Sequence, residues 1–141
     1  MPAKPAAQRR SDCPLNATLE AFGDRWSLLV VRDLMLLGRR TFREFLESGE
    51  GIATNILSDR LQRLEAQGIV EKRPDPADAR KVLYRLTAKG LDLAPILVEM
   101  IVWGARYHDT AAPPSQIRAM TRHRERFLAE VRKRWAEAGR S

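Results

Sequence analysis

The spacing of apolar and polar positions along the 141-residue chain changes period several times, and each change predicts an element. Leu15, Leu19 and Phe22 recur at i, i+4 and i+7, which predicts a helix over 14–22 with one apolar stripe. Pro14 suits the first position of that helix, where its missing N–H has no partner to lose. Gly23-Asp24 breaks it. "RWSLLVVRDLMLL", residues 25–37, is apolar on most sides and predicts a central core helix ended by Gly38. Arg39-Arg40-Thr41 reads as a short extended link. "FREFLES" predicts a brief helix with Phe42, Phe45 and Leu46 inward, and Gly49 and Gly51 flank a turn.

Over residues 53–67, Leu57, Leu61 and Leu64 form a stripe at i, i+4 and i+7, with Thr54, Asn55, Ser58, Asp59 and Gln62 on the opposite side. Gly68 is placed to cap the C-terminus. The period then drops to two. "IVEKR" reads as a strand, "PDPADA" as a turn and "RKVLYRLT" as a returning strand with Val82, Tyr84 and Leu86 alternating.

Thr87 is expected to cap a last long helix over 88–107, kinked at Pro95. Apolar residues circle it: Leu91, Leu93, Ala94, Ile96, Leu97, Val98, Met100, Ile101, Val102 and Trp103. A helix packed on one side of its own domain needs only a stripe. The surplus predicts a second copy of the chain on the other side, while burial within the monomer would show the same pattern. The expected interface is Leu15, Leu19, Leu91, Ala94, Leu97, Val98, Ile101, Val102 and Trp103. "TAAPPSQ" reads as a linker and 115–138 as one charged helix. The expected organisation is a disordered N-terminal arm over 1–12, a main domain over 13–110, and a linker with a basic helix over 111–141.

Charge sharpens this outline. The net charge of +7 sits at the ends: residues 1–12 carry three basic residues and one acidic, residues 13–114 fourteen of each, and residues 115–141 eight basic and three acidic. Such a balance permits an anionic partner, although a basic terminal helix can equally be a solvated face. One cysteine excludes an intramolecular disulfide and fits a reducing cytoplasm. No run of about 18 apolar residues is present, so no membrane span is expected.

Three short helices followed by a two-stranded ribbon is the order of a winged helix-turn-helix, a mainly α fold with a small β-wing (α+β). In that arrangement the helix before the ribbon enters the DNA major groove. Its outward residues must donate and accept at base edges: Asn and Gln can pair with adenine, and Thr can meet a thymine methyl. Asp59 is unfavourable near phosphate, so it either pairs with a basic neighbour or faces a cytosine amino group. An ordinary amphipathic helix turned to water would show the same pattern. The ribbon adds Lys72, Arg73, Arg80, Lys81 and Arg85, suited to backbone or minor groove, with Asp75 and Asp78 diluting them. The expected DNA contacts are Arg40, Thr41, Thr54, Asn55, Ser58, Asp59, Arg60, Gln62, Arg63, Lys72, Arg73, Arg80 and Lys81. The expected partner is a palindromic duplex bound by a homodimer joined through the long C-terminal helix.

"CPLNATLEAFGDRWSLLVVRDLMLLGRRTFREF", "GIATNILSDRLQRLEAQGIVEKR", "YRLTAKG" and "WGARY" together resemble the HxlR-type regulators over about residues 13–107. The resemblance implies a bacterial, cytoplasmic, homodimeric winged-helix transcription factor. "DPADARKVLYRLTAKG" is also similar to the MarR type, but the Cys-Pro opening and Trp26 favour HxlR. Ala53 stands where the family often has an N-capping Ser, a loss of about 1 kcal/mol unless Thr54 replaces it. The resemblance says nothing of the chain beyond Thr110.

Cys13 precedes Pro14 at a helix N-terminus, a setting that favours a reactive thiolate. Some HxlR-type regulators use a cysteine at the matching position to sense oxidants or electrophiles, which implies the same of Cys13. A small packing residue is the other reading. His108 and His123 have no metal-ligand spacing, no glycine-rich phosphate loop is present, and no Ser/His/Asp set has a credible context. Neither an enzyme nor a cofactor or metal is expected. A winged-helix module that binds proteins and a MarR-like repressor gated by a small ligand are the alternatives.

Overall fold

The computed structural model describes residues 11–139; most of the expected arm over 1–12 lies outside the described residues. The chain divides into two compact units after Gly90.

The first unit holds helices α1 (Pro14–Phe22), α2 (Ser27–Leu36), α3 (Phe42–Leu46) and α4 (Thr54–Ala66), then strands β1 (Val70–Asp75) and β2 (Asp78–Leu86). Its core is Phe22, Val30, Val31, Met35, Phe45, Leu57, Leu61, Leu64, Ile69, Val70 and Leu86. The strands form one antiparallel hairpin in which Val70 faces Leu86, Lys72 faces Tyr84 and Pro74 faces Val82. Tyr84 packs its ring on Phe45 of α3, with centroids 5.9 Å apart. Val82 lies on the same hairpin face as Tyr84 and Leu86 but is exposed, because it sits near the tip, beyond the helices.

α4 ends as its sequence dictates. Gly68 takes φ 73°, the Gly68 N–H donates to the Glu65 carbonyl at 2.9 Å and the Ile69 N–H donates to the Leu64 carbonyl at 2.9 Å. This Schellman-type ending turns the chain straight into β1. Thr87 ties the far end of the hairpin to the same place: its N–H donates to the Ile69 carbonyl at 3.0 Å and its hydroxyl to the Gly68 carbonyl at 2.5 Å. Thr87 Oγ1 also accepts from the Gly90 N–H at 3.1 Å, the expected cap. A Cβ on Gly90 would lie 2.2 Å from the Ile69 carbonyl oxygen, so the position is closed to any larger residue. Helix and wing therefore share one rigid junction.

At α2, Asp33 is buried and held by Arg32 Nη2 at 2.8 Å and Arg39 Nη1 at 3.3 Å, while Arg32 Nη1 reaches Glu50 at 3.0 Å. Glu50 and Asp33 oppose the loss of the Arg32 proton more strongly than burial favours it, so the Arg32 pKa is raised.

The expected long helix is divided. α5 (Ala88–Leu91) stops, and α6 (Ala94–Tyr107) starts with Pro95 in its first turn. Pro95 starts a helix here rather than kinking one, because the first turn has no N–H to satisfy. In the second unit, α6 packs with α7 (Pro114–Arg122) and α8 (Arg124–Ala138). The charged tail is thus two helices, broken at His123 (φ −128°, ψ 40°). Met120 and Val131 are buried, and Arg124 and Arg132 pair with Glu99 and Asp92.

That packing changes the expected interface. Leu91, Ala94, Leu97, Val98 and Val102 are buried in the single chain and Ile101 is half-buried. The stripe left exposed on α6 is Ile96, Met100, Trp103 and Tyr107, at i, i+4, i+7 and i+11, with Met100 54% and Trp103 59% exposed. Of the residues expected at the interface, Trp103, Leu15 and Leu19 are exposed.

Candidate nucleic-acid interface

At about 100° per residue, Leu57, Leu61 and Leu64 fall within about 60° of one another on α4, and all three are buried. Asp59 lies almost directly opposite, flanked by Asn55 and Gln62, and all three are exposed; Ser58 is half-buried at their edge. Thr54 is exposed in the first turn but, seven residues before Leu61, projects on the leucine side of α4 and not opposite it as the sequence pattern suggested; its exposure comes from its place at the start of the helix. Ala53 occupies the N-cap without a side-chain hydrogen bond, so the first amides of α4 have no such acceptor from Ala53.

Arg60 takes a different part from the one its sequence position suggests. It flanks the leucine stripe, and its Nε donates to Asp24 Oδ1 at 3.0 Å. Asp24 itself caps α2, accepting from the Trp26 N–H at 2.8 Å, the Ser27 N–H at 3.0 Å and the Ser27 hydroxyl at 2.6 Å. Burial pushes the Asp24 carboxyl up, but the Ser27 hydroxyl, the two amides and Arg60 overcome it and hold the group at about 2. The clamp fixes α4 to the α1–α2 turn, and it leaves the Arg60 side chain 20% exposed. Arg60 Nη1 also pairs with Asp59, whose Oδ2 forms an ion pair with Arg63 Nε at 3.1 Å. Asp59 therefore pairs with basic neighbours, one of the two roles expected for it.

Thr41 is likewise engaged. Its hydroxyl accepts from the Glu44 N–H at 3.1 Å, and Glu44 Oε1 accepts from the Thr41 and Arg40 amides, a capping box at the start of α3. Burial alone would raise the Glu44 pKa, but the Arg40 amide, the Thr41 hydroxyl and the Thr41 amide outweigh it and lower it overall.

On the wing, the Arg40 carbonyl accepts from the Tyr84 N–H at 2.8 Å, joining the link before α3 to β2. Arg73 and Arg85 share one hairpin face with Glu71. Burial lowers the Arg85 pKa and the positive charge of Arg73 lowers it further; Glu71 opposes this and Arg40 adds to it. Arg40, Arg73 and Arg85 thus make a patch of like charge at the wing's root. Lys72 is exposed and reaches Glu65 at 3.6 Å. At the tip, Arg80 and Lys81 are exposed. Arg80 folds back on Asp78 at 3.2 Å, and that guanidinium lowers the Asp78 pKa.

Cys13 is exposed at the N-cap of α1. Among the described residues, no helix is long and apolar enough to cross a membrane, and no group of three or more His, Cys, Asp or Glu could hold a metal ion. Sequence reasoning missed Asp24; its signal was a carboxylate directly before the core helix, a common capping position.

The family model of HxlR-like helix-turn-helix proteins matches residues 21–112. The chain is 34% identical over 98 residues to the HTH-type transcriptional regulator sll1512 of Synechocystis, covering 70% of this chain and 72% of the relative. It is 34% identical over 96 residues to the HTH-type transcriptional regulator YodB of Bacillus subtilis, covering 67% and 85%. The structure of reduced YodB matches with a TM-score of 0.56 at 31% identity, covering 69% of this chain and 95% of that chain. The oxidized form of the redox regulator HypR matches with a TM-score of 0.62 at 33% identity, covering 70% and 100%. With a winged helix-turn-helix in place and the match spanning both helix and wing, the chain belongs to the HxlR-like family of helix-turn-helix transcriptional regulators.

Proposed function

We infer that α4 lies in the major groove of duplex DNA, with Thr54, Asn55, Ser58 and Gln62 at base edges and the wing on backbone or minor groove. One observation carries this: the face of α4 opposite its buried leucines is exposed, polar and rich in amides, on the helix that feeds the wing. Arg40, Arg73, Arg80 and Lys81 contact phosphate, and Lys72 joins them by leaving Glu65. Thr41 contributes by setting the start of α3. Residues 13–110 form the DNA-binding and dimerisation part, and α7 and α8, within the basic segment 111–141, cover α6. Two copies join along Ile96, Met100, Trp103 and Tyr107, so the operator is two-fold symmetric. Duplex binding measured against salt tests this: affinity falls steeply as salt rises if phosphates are neutralised, and a flat response favours a protein-binding module.

A redox response through Cys13 is the second reading. It rests on the exposed thiol of Cys13 and on the likeness to HypR, which is named a redox regulator. Because the sequence has one cysteine, a disulfide between two of its cysteines would join two chains. DNA affinity that moves with diamide in the wild type and not in Cys13→Ser supports it; equal behaviour of the two proteins removes it.

A further inference from the structure

Three ion pairs form one line across α4. Asp24 of the α1–α2 turn holds Arg60 at 3.0 Å, Arg60 pairs with Asp59, and Asp59 Oδ2 holds Arg63 Nε at 3.1 Å. The line begins at a half-buried turn and ends at Arg63, 64% exposed on the edge of the polar face. An exposed pair four residues apart on a helix contributes little to stability, so folding does not account for the placement of Asp59. Nor does general attraction to DNA, since a carboxylate on that face repels phosphate. What Asp59 does is orient. It engages Arg63 through Nε, which leaves the Nη1–Nη2 edge of the guanidinium fork for two acceptors. The acceptor pair that such a fork meets in a major groove is O6 and N7 of guanine.

We propose that Arg63 is a specificity-determining residue that reads a guanine in the operator, and that Asp59, anchored through Arg60 to Asp24, is the positioning residue that aims it. This deepens the placement of α4 in the major groove and rests on it. The line also gives the two arginines of α4 next to Asp59 different roles, with Arg60 part of the scaffold and Arg63 the reader. Lysine can replace arginine at a phosphate, as a point charge, but cannot supply the fork.

The experiment is selection of bound sites from random duplex DNA with the purified wild type, Arg63→Lys, Asp59→Asn and Asn55→Ala. The expected result is that Arg63→Lys lowers the preference for guanine at one operator position about tenfold. Asp59→Asn then relaxes the same position by a smaller factor, and Asn55→Ala relaxes a different one. A guanine preference kept intact by Arg63→Lys would overturn the proposal, since it assigns Arg63 to phosphate. Relaxation by Arg63→Lys with none from Asp59→Asn would overturn the positioning role. Either failure with Asn55→Ala still shifting its own position leaves α4 in the groove. A wild type that enriches no site at all overturns both readings.

Discussion

α4 and α6 each bury one stripe, Leu57, Leu61 and Leu64 in the first and Ala94, Leu97, Val98 and Val102 in the second, and they differ in what they turn outward. α4 presents Asn55, Asp59 and Gln62; α6 presents Ile96, Met100, Trp103 and Tyr107. The buried stripes do the same work. Each leucine or valine taken from water contributes about 1.5–3 kcal/mol and fixes its helix in place. The outward faces differ in the kind of surface each suits. Amides and a carboxylate bracketed by arginines remain hydrated until a polar partner replaces water bond for bond. A line of large apolar side chains gains only when another apolar surface covers it. The same helical period thus encodes a fixed frame on one side and the chemistry of a partner on the other.

The inner faces give the largest expected effects. Leu61→Ala in α4 and Leu97→Ala in α6 should each destabilise the chain by about 2–5 kcal/mol, read by denaturant unfolding. A loss well below that at Leu97 would mean that α6 is not packed on this side. The outer face of α6 comes next. Met100→Glu with Trp103→Glu should leave a folded monomer, with about 1.5–3 kcal/mol of association lost per side chain; sedimentation that still shows a dimer would move the interface elsewhere. Changing Leu97 cannot make this test, because it disturbs the fold of the chain itself.

The outer face of α4 follows. Asn55→Ala should weaken binding to the preferred site by about 1–3 kcal/mol and relax one base position, without altering thermal stability. The clamp behind α4 is smaller. The folded-state pKa of Asp24, about 2, lies below its ordinary value of 3.8. Its stabilisation is therefore present above about pH 4 and lost as the pH falls through about 2. With allowance for solvent screening the loss is on the order of 1 kcal/mol. Acid unfolding of Asp24→Asn should lack this component; an identical profile would show that the clamp does not hold α4. The smallest effect is at the wing tip, where removing Arg80 should flatten the salt slope of DNA binding by about one unit.

Much of this was legible in the sequence, and the reason is local. The leucine period of α4, the Gly68 ending and the alternation of the hairpin are decided by neighbours within a few residues. The break between α5 and α6 was not legible in the same way, because a proline inside an apolar run can kink a helix or begin one. Nor did the sequence tell which side of α6 its own chain covers, since α7 and α8 reach it from beyond the linker. The same holds for Arg60. Counted with the other cations of α4, it looked like a DNA contact, yet its partner Asp24 lies 36 residues away. Its angle on the helix, next to the leucine stripe rather than opposite it, was the available signal.

The central claim is that the outward face of α4 reads bases, and one measurement tests it most directly: selection from random duplex DNA with the wild type and with Asn55→Ala and Gln62→Ala at a fixed salt concentration. The wild type should enrich a two-fold symmetric site, and each variant should lose preference at its own position while keeping non-specific affinity. Enrichment of one and the same site by all three proteins would contradict the claim.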